Sequence, residues 1–79
     1  MNLRFDGKTA IVTGAAHGFG RAIAHGFAAR GARVWACDIL GEELEETRRL
    51  CGDGCEAKRV DVSDDREVRD LVAAAEQQG

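Results

Sequence analysis

Tyrosine is absent from this 79-residue chain, so it holds no phenol that could serve as an acid or base. Long apolar runs are absent too. Segments such as Ala10-Ile11-Val12 extend only a few residues, far short of the roughly 18 that a membrane-spanning helix needs. The opening stretch Met1-Asn2-Leu3-Arg4-Phe5-Asp6 lacks the apolar core of a signal peptide, which makes the cytoplasm the expected compartment. There is no surplus of base. The net charge is −3 and the pI about 5.3, with bases spread among acids; a nucleic-acid partner is not expected without a basic patch. Cysteine is sparse and odd in number. Cys37, Cys51 and Cys55 form no Cys-x-x-Cys pair and have no neighbouring His, so they read as reduced structural thiols rather than metal ligands.

What is present suits a soluble globular fold, with 44% hydrophobic and 32% charged residues. The length corresponds to one small domain or a piece of a larger one, since domains typically run roughly 100–150 residues. A chain this short buries only about 60–65% of its unfolded surface, so a large closed core is not expected.

The pattern reads strand then helix, three times over. The first strand is Thr9 to Thr13, closed by Gly14. A helix is expected from about Phe19 to Arg30, with Ala22, Ile23, Phe27 and Ala28 on its broad apolar face and Gly31 as the stop. The second strand, Arg33 to Cys37, holds the apolar run Val34-Trp35-Ala36 expected of a parallel strand covered on both faces. A charged helix follows from about Glu42 to Leu50, with Leu44, Thr47 and either Cys51 or Leu50 on one side; Gly52-Asp53-Gly54 is a turn. The third strand, about Glu56 to Val60, is polar enough for a sheet edge. Ser63 or Asp64 then caps a last helix to about Gln78, whose stripe is Val68, Leu71, Val72 and Ala75. This alternation predicts an α/β fold with a Rossmann-like parallel sheet: the βαβαβα half of a doubly wound, three-layer structure, its first two helices on one face.

The most informative segment is Thr13-Gly14-Ala15-Ala16-His17-Gly18-Phe19-Gly20. It leaves a buried strand and opens a helix. Gly14 permits the sharp exit, Gly18 lets a pyrophosphate approach the backbone, and Gly20 lets the helix lie close to the sheet. The free N–H groups of the first turn and the helix dipole favour the phosphate charge. Asp38 ends the second strand about twenty residues further on, where a carboxylate faces the adenosine ribose.

Thr-Gly-x-x-x-Gly-x-Gly after the first strand resembles the cofactor loop of the short-chain dehydrogenases/reductases, and Asp61-Val62 resembles that family's adenine-contacting pair. The resemblance runs from Leu3 to Gly79. It implies an NAD-dependent oxidoreductase acting on an alcohol or carbonyl, usually as a homotetramer. It also implies cofactor contacts at Gly14, Ala16, His17, Gly18, Phe19, Gly20, Asp38, Ile39, Asp61 and Val62. Phe19 departs from the family's usual Ile or Leu, and His17 stands where NADP-preferring members often carry a base. With Asp38 in place, NAD is expected over NADP. The family's Ser and Tyr-x-x-x-Lys are not found in these residues and are expected beyond Gly79. The chain is thus expected to be the incomplete N-terminal part of one dinucleotide-binding domain and inactive by itself.

Other classes fit less well. A Walker loop needs Gly-Lys-Ser or Gly-Lys-Thr where Gly20-Arg21-Ala22 stands. A methyltransferase loop usually carries an acid where Thr13 stands. A non-catalytic NAD-binding sensor or interaction module is the alternative that the residues up to Gly79 leave open.

Overall fold

The computed structural model describes residues 4–78. Leu3 and Gly79, the two ends of the resemblance, and Met1 and Asn2 lie outside them. The elements are β1 (Thr9–Thr13), α1 (Gly18–Ala29), β2 (Arg33–Asp38), α2 (Gly41–Cys51), a 3-10 turn (Gly52–Gly54), β3 (Cys55–Arg59) and α3 (Asp65–Gln78). The three strands are parallel in the order β1-β2-β3. The expected βαβαβα half of a doubly wound fold is therefore present. β1 has its expected bounds, and the other helix and strand ends differ from expectation by at most one residue.

Side-chain alternation along the strands divides the core in two. Val12, Val34 and Ala36 face one way and pack with Ala24 of α1 and Leu44 of α2. Trp35 and Cys37 face the other way, against Leu71 and Ala75 of α3. β2 is buried on both faces because helices cover both, as its apolar run predicts. Polar β3 lies at a sheet edge, also as expected.

The buried stripes need correction in α1 and α3, and in α2 the packing decides between two open alternatives. In α1 the buried residue is Ala24, whereas Ala22 and Ile23 are exposed. Gly20 presses against the Gly14 backbone, which rotates the helix so that the line Gly20, Ala24, Phe27 and Ala28 meets the sheet. In α2, Leu44 and Thr47 are buried and Cys51, not Leu50, completes the stripe. In α3, Leu71 and Ala75 are buried but Val72 is exposed. That helix is capped by Asp64, whose Oδ1 accepts from the N–H of Arg66 at 2.9 Å and of Glu67 at 3.3 Å.

Candidate functional site

Parallel strands place every strand's carboxyl end on the same edge of the sheet. The glycine loop after β1, Asp38 at the end of β2 and Asp61-Val62 after β3 therefore stand side by side. Hydrogen bonds join the three. Ala15 N–H donates to Cys37 O at 3.0 Å and Val60 N–H donates to Asp38 O at 3.1 Å. Arg59 Nε–H reaches Ile39 O at 3.1 Å.

Two glycines show different requirements within the loop. Gly18 has φ +60, a left-handed conformation that L side chains adopt at a cost. A Cβ at Gly20 would lie 1.9 Å from Gly14 O, so α1 approaches the strand exit as closely as backbone allows. A Cβ at Gly14 or Gly18 would meet no atom within 4 Å. The space over the loop is thus open to a ligand.

The start of α1 is suited to an anion. Its N-cap, His17, makes no side-chain capping bond, and its first turn holds no acidic residue. α2 and α3 differ in charge: α2, whose N-cap Leu40 likewise makes no side-chain capping bond, begins with Glu42 and Glu43, and α3 with Asp65 and Glu67 behind the Asp64 cap. Among the described residues, α1 alone of the helices leaves its positive end and first N–H groups without a carboxylate of their own.

Asp38 does more than end a strand. Its Oδ2 accepts from Ala16 N–H at 3.0 Å, and its Oδ1 accepts from Ile39 N–H at 2.7 Å and Leu40 N–H at 3.2 Å. Burial pulls the carboxyl upward. The N–H groups of Ala16, Leu40 and Ile39, with a smaller contribution from His17, outweigh that and hold it below its ordinary value. Asp61 is lowered as well, by the Ser63 hydroxyl donating to Oδ1 at 2.6 Å and the Ser63 N–H at 2.9 Å. Ile39, Arg59, Asp61 and Glu67 line a cavity of about 360 Å³ at this edge. A hollow of about 370 Å³ at the strands' amino ends, beside Lys8 and Gly31, contains none of the candidate residues.

Ile39 and Val62 are exposed apolar side chains, and Phe19 is 89% exposed. His17 is exposed and Ala16 buried. The fold thus brings all ten candidate residues to one edge. Sequence reasoning missed Arg21 and Thr47. Arg21 Nη2 donates to Ala16 O at 2.6 Å and to Glu43 O at 2.8 Å, and its Nε donates to Thr47 Oγ1 at 2.8 Å. A hydroxyl in the apolar stripe of α2 was the available signal, because a buried hydroxyl needs a partner.

Comparison with known proteins agrees with this fold. The family described as short chain dehydrogenase matches residues 8–79. The sorbitol dehydrogenase of Cereibacter sphaeroides is 41% identical over 71 residues, covering 90% of this chain and 28% of that protein. The 2-(R)-hydroxypropyl-CoM dehydrogenase of Xanthobacter autotrophicus is 45% identical over 75 residues, covering 90% of this chain and 30% of that protein. Among solved structures, a short chain dehydrogenase/reductase from Burkholderia phymatum in complex with NAD superposes with a TM-score of 0.83 at 38% identity. The match covers 92% of this chain and 27% of that one. The chain therefore spans less than a third of the length of each of these relatives.

Proposed function

The chain belongs to the short-chain dehydrogenase family, and from that membership we propose that it forms the NAD-binding part of an oxidoreductase acting on a small alcohol or carbonyl substrate. The observation that carries this reading is the uncapped, acid-free start of α1, reached through Gly14 and Gly18 with Asp38 beside it. These residues suit a dinucleotide. The main-chain N–H groups around Gly18, Phe19 and Gly20 would hold the pyrophosphate. Asp38 would accept from the ribose hydroxyls, and Ile39, Asp61 and Val62 would border the adenine. When bound, the nicotinamide supplies the hydride acceptor or donor; the residues described here bind and orient it.

Asp38 also sets the choice of cofactor. A 2′-phosphate would bring about −1.5 to −2 charges beside this carboxylate. Two unit charges about 4 Å apart repel by about 4 kcal/mol at an effective dielectric near 20, and solvent screening of most of that still leaves a several-fold preference for NAD. The substrate is not set by this segment. Relatives of 41% and 45% identity bear names with different substrates. Work in the cytoplasm is part of the same proposal, as is assembly into a homotetramer, which follows the family pattern.

One titration experiment tests the assignment. NAD and NADP are titrated into the folded wild type, Gly18→Val and Asp38→Ser. Gly18→Val should weaken NAD by at least about tenfold, or about 1.4 kcal/mol, because a branched side chain at φ +60 fills the open cradle. Asp38→Ser should bring the two cofactors closer in affinity. Equal NAD affinity for wild type and Gly18→Val, or a wild type that takes NADP as well as NAD, would sink the corresponding assignment.

A further inference from the structure

Arg21 breaks a local rule. It sits at the start of α1, where the helix dipole disfavours a cation. Its bonds explain the placement, for they run to Ala16 O, Glu43 O and Thr47 Oγ1 and so tie α1 to the loop and to α2. Thr47 is the one fully buried polar side chain among the described residues. Its hydroxyl donates to Ala15 O at 2.6 Å while accepting from Arg21.

These bonds act on two successive peptide groups. A peptide is planar and trans, so its C=O and N–H point in opposite directions. The Ala15–Ala16 peptide is pinned at both ends, its C=O by Thr47 and its N–H by Asp38. The Ala16–His17 peptide has its C=O held by Arg21, which fixes the direction of the His17 N–H. Any loop that binds phosphate through main-chain N–H groups gains affinity when those groups are already aimed.

From this geometry we infer that Arg21 and Thr47 are positioning residues that lock the glycine loop in its cofactor-binding shape and make α2 a determinant of NAD affinity. The inference rests on the NAD reading above. It also makes Asp38 a loop-holding residue as well as a ribose partner, so a substitution there acts on both.

The test uses the full chain as wild type, Thr47→Val, Thr47→Ser and Arg21→Lys. NAD affinity is measured by calorimetry, and amide exchange is measured without cofactor. Thr47→Val and Arg21→Lys should each weaken NAD by about tenfold, the weight of one or two net hydrogen bonds. Exchange at the Ala16 amide should quicken while the amides of Val34 and Ala36 in β2 keep their protection. Thr47→Ser keeps the hydroxyl and should behave as wild type. The inference is overturned if Thr47→Val binds NAD normally, if Thr47→Ser is as weak as Thr47→Val, or if β2 loosens in step with the loop. A wild type whose Ala16 amide is protected through Thr47 but which binds no NAD would instead overturn the proposed function and leave the lock itself standing.

Discussion

Asp38 shows how much one side chain can carry. Its two oxygens accept three main-chain N–H groups, from Ala16, Ile39 and Leu40. Because its native value is depressed from 3.8, its contribution to stability is fully present above the unfolded value and is lost as pH falls through the native one. The Ala16 amide proton should therefore shift with a midpoint below 3.8, in step with the Asp38 carboxyl, when both are followed by NMR through an acid titration. Asp38→Asn should abolish that step. An Ala16 amide that ignores the titration, or that follows it with a midpoint at or above 3.8, would mean that the bond to Asp38 does not hold the loop in solution. Cysteine behaves differently at this scale. Burial pushes the Cys37 thiol up to about 11 and the Cys55 thiol up to about 12, so neither is a thiolate nucleophile at neutral pH.

Helix α1 contains the same residue in two settings with opposite consequences. A Cβ at Gly20 would collide with Gly14 O at 1.9 Å, while at Gly26 the nearest atom is Arg30 Nη1 at 3.8 Å. Gly20→Ala must push the helix off the strand exit and should cost about 2 kcal/mol or more, as overpacking does. Gly26→Ala should stabilise by about 0.5–1 kcal/mol, because alanine gives up less backbone freedom than glycine in a helix. Urea unfolding of the two variants checks both signs. Should Gly20→Ala prove as stable as wild type, the close approach of α1 to β1 is not what fixes this helix. The surface pairs of α2, Arg48–Glu45 and Arg49–Glu46, lie one helical turn apart on the exposed side and add little by comparison.

For the whole molecule, the sheet order leaves β1 with β2 on one side and no strand on the other among the described residues. Ile11 of β1 and Val72 of α3 border a groove of about 480 Å³, and both are about 40% exposed. The ten candidate residues share the edge at the strands' carboxyl ends. No Tyr occurs in the 79 residues, and the acid–base role of a family dehydrogenase falls to a Tyr paired with a Lys. His17 stands in the cofactor loop and His25 within α1, and both are exposed. The chain by itself is accordingly expected to bind NAD without turning over. NADH formation from a panel of alcohols should stay at the level of a heat-killed control; turnover clearly above it would show that an acid or base is already present in these residues.

The fold and the clustering of the candidate residues at one sheet edge were legible in the sequence because that information is local. Glycine spacing, strand–helix alternation and an acid at the end of β2 each follow from backbone geometry within a few residues; they indicate the fold and the positions Gly14, Gly18, Gly20 and Asp38, while Ala16, His17, Phe19, Ile39, Asp61 and Val62 rest on the family resemblance. The tertiary structure decided what periodicity leaves free. A 3.6-residue repeat defines an apolar face only to within a residue or so of rotation, and the contact of Gly20 with Gly14 turned α1 onto Ala24 rather than Ala22 and Ile23. The lock on the loop was not legible either. Thr47 lies 32 positions from Ala15 and 26 from Arg21, and no local pattern encodes a hydrogen bond between elements that meet only when parallel strands align and their helices pack on the same face.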